Sequence, residues 1–176
     1  GAITRSGEVL PRRQSQTGTT LRETLPMDEQ QRRAANRAVF LRMMDALGRK
    51  DWDEGFALTT EDLLCDWPYP PLEGMAEAIE GRTAVRRFFD EGQAPMAGLD
   101  YRIDAIHDAL DPDLLISEYH SVSRHLATGV PYGNRYLEIL RFRDGKVCYW
   151  REYINPLKIA EMLNRSAAAA APGAGG

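Results

Sequence analysis

Between residues 28 and 47 the apolar positions Val39, Phe40, Met43, Met44 and Leu47 recur three and four apart, which places them on one face of a helix. Gly48 supplies the stop. Residues 51–58 predict a second, short helix, and Leu63-Leu64-Cys65-Asp66-Trp67 a short strand that the prolines at 68, 70 and 71 cut off. A third helix follows Gly81, with Val85, Phe88 and Phe89 on its inner side. Beyond Gly98 the pattern becomes strand-like, over 99–109, 114–127, 132–143 and 146–154. The breaks are Asp111-Pro112-Asp113, Thr128-Gly129-Val130-Pro131 and Asp144-Gly145, the last a strong hairpin signal. Residues 156–163 predict a short closing helix. Helices first and an antiparallel meander after them predict an α+β fold, a curved antiparallel sheet with N-terminal helices enclosing a pocket.

The two ends lack this patterning. Residues 1–26 are rich in Arg, Ser, Thr and Gln and are expected to be a disordered leader, with Met27 a candidate start where the first helical pattern begins. Arg12-Arg13 is not followed by an apolar stretch, so no twin-arginine export signal is expected. From Ser166 the chain reads SAAAAAPGAGG, expected to be a disordered Ala/Gly tail. The folded body is then 27–165, one domain.

Composition narrows the function. With 43% hydrophobic and 27% charged residues in 176, the chain can bury a real core. A net charge of -4 with both signs scattered argues against a nucleic-acid partner, and no apolar run approaches the roughly 20 residues that span a bilayer. Two cysteines, Cys65 and Cys148, are too few for a disulfide framework, so a cytoplasmic location is expected. The three histidines show no zinc spacing, and there is no phosphate loop or dinucleotide fingerprint, so neither metal nor cofactor is expected.

Strand parity brings out the chemistry. Over 135–142 the choice lies between Arg135, Leu137, Ile139, Arg141 and Tyr136, Glu138, Leu140, Phe142; a helix-covered face does not hold two unpaired arginines, so the second set points inward. Over 147–154 the more apolar set is Cys148, Trp150, Glu152, Ile154. Glu138 and Glu152 are thereby placed among Trp, Phe and Leu, where desolvation lifts a carboxyl pKa toward neutrality and fits it for proton exchange. The competing reading is an acid that merely bonds a buried arginine or tyrosine. Tyr119, Ser121 and Ser123 form a hydroxyl stripe on one face, while Glu118 and His120 fall on the other. His107 and His125 read as surface or rim residues, Cys148 as packing, and Trp67 and Trp150 as core or as the wall of a cavity for flat ligands.

The segments EDLLCDWPYP, AIEGRTAVRRFF and NRYLEILRFRDGKVCYWREYINPL resemble the nuclear-transport-factor-2-like superfamily, which includes ketosteroid isomerases, limonene epoxide hydrolases and SnoaL-like polyketide cyclases. The resemblance implies a cone-shaped α+β barrel with a deep pocket, commonly dimeric. Tyr132 and Asn134, and the run from Gly145 to Pro156, are similar to the phenazine-biosynthesis A/B-type branch. In that branch a functional acid follows the hairpin glycine by the interval that separates Gly145 from Glu152. Departures are specific: the paired Arg and Asp of the epoxide hydrolases correspond to Tyr119 and Ser121, and the base Asp of the isomerases to Trp67. Their oxyanion-hole acid matches Glu138, but their helix-one tyrosine falls near Met43, and a histidine of the phenazine branch falls around Arg82.

The expectation is a cofactor-free enzyme that cyclises, isomerises, dehydrates or condenses a polycyclic or aromatic small molecule. Glu152 carries the proton, with Glu138, Tyr119 and Asn134 placing or polarising a carbonyl and Tyr136, Trp67, Trp150 and Ser121 binding the substrate. The alternative is a non-catalytic binding or assembly module of the same fold. The expected partners are a small hydrophobic ligand and a second copy of the chain, docked through the outward row Arg135, Leu137, Ile139, Arg141.

Overall fold

A computed structural model describes residues 28–171; the leader, Met27 and the last five residues of the tail lie outside the described residues. Helix α1 (Glu29–Gly48) opens on a reciprocal capping box, in which Asp28 accepts from the Gln31 backbone N–H and the Gln31 side chain accepts from that of Asp28. Its buried face holds Phe40, Met43, Met44 and Leu47. Gly48 ends it where the backbone of Leu99 passes; an added Cβ would lie 2.5 Å from the Leu99 carbonyl oxygen. Helix α2 (Trp52–Ala57), capped by Asp51, turns the chain into β1 (Thr59–Asp66). A three-residue strand β2 (Ala78–Glu80), not expected from the sequence, pairs with β1 and leads into helix α3 (Arg82–Gln93).

The rest is the meander β3 (Asp100–Asp108), β4 (Leu114–Arg124), β5 (Pro131–Arg143) and β6 (Lys146–Ile154), followed by helix α4 (Pro156–Ala170). Asp144 and Gly145 both have positive φ, 52° and 71°, as the two-residue β5–β6 turn requires. One curved sheet results, ordered β2-β1-β6-β5-β4-β3. Every neighbouring pair is antiparallel except β1 with β6, which is parallel, so the expected all-antiparallel sheet is corrected at that one ladder. The sheet does not close into a barrel; β2 and β3 are its edges.

Parity holds along β4 and β5, where Leu115, Ser117, Tyr119 and Ser121, and Asn134, Tyr136, Glu138, Leu140 and Phe142, are all buried. In β6 it breaks near the hairpin. Phe142 faces Val147 but Arg141 faces Tyr149, so Cys148 is the extra residue of a bulge. Val147 therefore takes the inward place expected for Cys148, whose thiol turns back to donate to the Arg141 carbonyl at 3.4 Å. After the bulge the expected phase returns, with Trp150 and Glu152 inside. Helix α4 runs seven residues past its expected end at 163, through the alanine run, and buries Ser166 where a structureless tail was expected. Among the described residues no helix is long and apolar enough to cross a membrane.

Candidate active site

Glu138 of β5 and Glu152 of β6 are cross-strand partners, so their carboxyls leave the sheet side by side on its inner face. Glu138 is completely buried and Glu152 is 7% exposed. Among the described residues neither meets a cation. The Trp67 indole Nε1–H donates to Glu152 Oε1 at 3.0 Å, and the Tyr119 hydroxyl donates to Glu138 Oε1. Glu138 Oε2 and the Trp150 indole nitrogen are buried without a hydrogen-bond partner among the described residues.

The parallel β1–β6 ladder builds this arrangement. It sets Asp66 beside Arg151, and on the outer face Arg151 donates to both oxygens of Asp66, at 2.9 and 2.8 Å, while the Tyr149 hydroxyl donates at 3.0 Å. The next residues, Trp67 and Glu152, point the other way. The guanidinium nearest in sequence to Glu152 is thus consumed outside, and a neutral N–H faces the acid inside.

Burial then dominates the electrostatics. Desolvation pushes Glu152 from 4.5 up to about 7, against the opposing pull of the Trp67 bond and, after it, of the neighbouring Glu138. Desolvation also lifts Glu138 well above the usual carboxyl range; the neighbouring Glu152 charge adds to the rise and the Tyr119 hydroxyl opposes it. Two acids this close in a dry site hold on to a proton that two free glutamates would lose. The Tyr119 and Tyr136 hydroxyls are pushed up by burial and stay neutral.

Glu152 lies on the wall of an apolar cavity of about 160 Å³. Trp67, Tyr101, Tyr132 and Tyr136 line it from the sheet side, Phe88, Phe89 and Gln93 from α3, and Ile159 and Met162 from α4. Asn134 fixes that last helix over the cavity: its Nδ2 donates to the Asn155 carbonyl at the start of α4 and to the Tyr132 hydroxyl, at 3.0 and 3.1 Å. Of the residues singled out in the sequence, Glu152, Trp67 and Tyr136 line the cavity. Glu138 and Tyr119 stand behind Glu152, with the Tyr119 ring stacked on Tyr136 at 4.6 Å. Ser121 holds the Tyr136 hydroxyl at 3.0 Å, and Trp150 is core, stacked on Phe89 at 4.9 Å. None of the three histidines lines the cavity; they bond Glu118, Asp104 and Thr128 elsewhere. Tyr132 shares the inward parity of Tyr136 and was within reach of the sequence argument; Gln93 carried no such signal. Among the described residues no group of three or more His, Cys, Asp or Glu is placed to hold a metal ion.

An open curved sheet, helices over its inner face and an apolar cavity between them define the nuclear-transport-factor-2-like class. Within it the SnoaL-like domain matches residues 40–150, and the chain belongs to that family. It is 27% identical over 127 residues to the uncharacterised protein YesE of Bacillus subtilis, covering 72% of this chain and 84% of that one. An uncharacterised PhzA/B-like protein of Pseudomonas aeruginosa is 32% identical over 110 residues, 60% of this chain and 73% of the other. The crystal structure of a candidate isomerase from Bacillus subtilis superposes with a TM-score of 0.69 at 24% identity, covering 78% of this chain and 96% of that one.

Proposed function

We propose that this protein is a small-molecule enzyme in which Glu152 is the general acid/base for proton transfer at carbon, as in isomerisation, cyclisation, dehydration or condensation. One observation carries the reading: Glu152 is at once buried, in the cavity wall and, among the described residues, bonded by the neutral Trp67 N–H and by no cation, with its pKa pushed up to about 7 by burial. A base works best when its pKa lies near the working pH, and one placed acid/base contributes about 10²–10⁴-fold. In this reading Glu152 takes a proton from a carbon beside a carbonyl and returns it to another atom of the same molecule. The Trp67 N–H fixes the carboxylate, and the Tyr132 and Tyr136 hydroxyls, neutral and in the cavity wall, are placed to donate to the carbonyl oxygen as charge develops there. Glu138 and Asn134 act one bond further back, through Glu152 and Tyr132. The aromatic walls suit a flat apolar substrate, and the two free cysteines suit a reducing cytoplasm.

The test has two parts. Carboxyl ¹³C NMR should find Glu152 titrating near 7, and the protein should speed deuterium incorporation from D₂O into 2-indanone, with the Glu152→Gln variant inactive. A Glu152 that titrates like free glutamate, with no exchange above background, would leave only a binding module.

A further inference from the structure

We propose that Asp66 is a positioning residue for Glu152: by its hold on Arg151 on the outer face of the sheet it keeps the Trp67 indole N–H against the Glu152 carboxylate on the inner face. This rests on the reading of Glu152 as the acid/base, but the coupling itself is measured without any substrate.

The first observation is where β1 loses its support. Thr59 pairs with Val147 and Leu64 with Tyr149, so five steps along β1 answer two along β6, and the start of the strand does not set the register of its end. Three rungs follow, Leu64–Tyr149, Cys65–Trp150 and Asp66–Arg151, in the parallel ladder that is the weaker kind per residue. Trp67 lies one residue past the last rung, and its backbone N–H donates to the Glu77 carbonyl at 2.8 Å, on the β2 side. Among the described residues no backbone bond joins Trp67 to β6.

The second is what stands on that last rung. Arg151 donates from Nε to one Asp66 oxygen at 2.9 Å and from Nη2 to the other at 2.8 Å, and the Tyr149 hydroxyl donates at 3.0 Å. A two-point fork fixes direction as well as distance. The residues that follow Asp66 and Arg151 are Trp67 and Glu152, so one peptide step on each strand carries the outer bond to the inner one. The Arg151 bond holds the Asp66 carboxyl below its ordinary range against the opposing pull of burial. The outer pair therefore stays ionised throughout the range in which Glu152 titrates.

The third is the narrow tolerance of the inner bond. The Trp67 ring packs on Phe88 at 4.9 Å and on Phe89 at 6.3 Å and is 1% exposed. That packing buries the ring without aiming its N–H, and a hydrogen bond weakens steeply as its angle closes. A loosened last rung thus costs the bond to Glu152 while the ring stays buried. Nothing else replaces it: the titratable groups around Glu152 are Glu138, Cys65 and the hydroxyls of Tyr101, Tyr119, Tyr132 and Tyr136, with no cation among the described residues.

The experiment uses the full chain without ligand and reads the Trp67 indole proton resonance and the Glu152 carboxyl ¹³C midpoint. Asp66→Asn keeps the size of the side chain but leaves Arg151 one accepting oxygen and no charge. It should move the indole resonance upfield and raise the midpoint by about one pH unit, and should add nothing to Trp67→Phe in the double variant. A midpoint that falls, as an unneutralised Arg151 acting through space would make it, overturns the proposal, and so does an undiminished rise in the Trp67→Phe background. Lower stability in urea with resonance and midpoint unmoved reduces the pair to a structural bond and equally refutes it. Arg151→Lys keeps the charge and loses the fork, so it decides the matter if Asp66→Asn does not fold: both signals should move the same way, and stationary ones end the idea. A parent without deuterium exchange on 2-indanone removes the catalytic reading, while a midpoint still tied to Asp66 leaves this coupling standing.

Discussion

Replacing Glu152 by glutamine separates the two roles open to a buried acid. The amide is nearly isosteric, and its oxygen can accept from Trp67 Nε1 as the carboxylate does at 3.0 Å. No charge is stranded, because Arg151 is held by Asp66 on the other side of the sheet. What disappears is a carboxyl whose pKa rises from 4.5 to about 7 on burial. Below pH 4.5 such a group is neutral whether the chain is folded or unfolded and contributes nothing. Between 4.5 and 7 the unfolded chain releases the proton while the folded one keeps it, so stability falls as pH rises; above 7 the loss is complete. At 1.36 kcal/mol per pH unit that interval is worth about 3 kcal/mol. Urea denaturation should therefore find Glu152→Gln more stable than the parent by up to about 3 kcal/mol at pH 8, and equal to it near pH 4. Deuterium exchange in the same sample should fall by about 10²–10⁴-fold. A variant destabilised by about 3–5 kcal/mol would mean that Glu152 neutralises a buried cation, contrary to the geometry described. A stable variant with full exchange would end the catalytic assignment.

Removing the donor that holds Glu152 down should move its ¹³C titration above 7: Trp67→Phe deletes the indole N–H and raises it. An unmoved midpoint in Trp67→Phe would show that the indole bond has no hold on the acid. Gly48→Ala forces a Cβ to within 2.5 Å of the Leu99 carbonyl and should cost about 1–3 kcal/mol in urea denaturation; no loss would mean that the two backbones part freely. The outward row Arg135, Leu137, Ile139, Arg141 is expected to form a homodimer interface, and light scattering that finds a monomer at high micromolar concentration would refute it.

The order of elements was legible because its punctuation is local: Asp144-Gly145 with both residues at positive φ, Asp111-Pro112, and Gly48 at the end of α1. The inward faces of β4 and β5 were legible because parity is a property of the strand alone. Cys148 was misplaced because a bulge adds one residue without changing composition, and only the pairing with Arg141 and Phe142 reveals it. The β1–β6 ladder joins Cys65 to Trp150, a contact no local pattern encodes. Strand β2 is three residues long and carries no period. The alanine run after Ser166 reads as low complexity, yet alanine has the highest helix propensity, and α4 simply continues through it. Gln93 looks like any glutamine at a helix end until its neighbours are known.

The bulge in β6 acts as a phase setter for the hairpin. Counted from the turn without it, Phe142 would still face Val147, but Arg141 would face Cys148 and Glu138 would face Arg151. Glu152 would then point outward, and the inner face would hold a carboxylate beside a guanidinium, an arrangement that satisfies both charges and transfers no proton. One unpaired residue, Cys148, thus decides between an inert ion pair and two acids held side by side. A chain in which Cys148 is deleted keeps Glu138 opposite Glu152, because the deletion removes the bulge and the offset together. A chain with one further residue inserted between Val147 and Tyr149, and no second bulge to absorb it, brings Arg151 inside. The sheet therefore tolerates shortening at this hairpin and not lengthening, an asymmetry set by the phase of the strand and not by the chemistry of the residue removed.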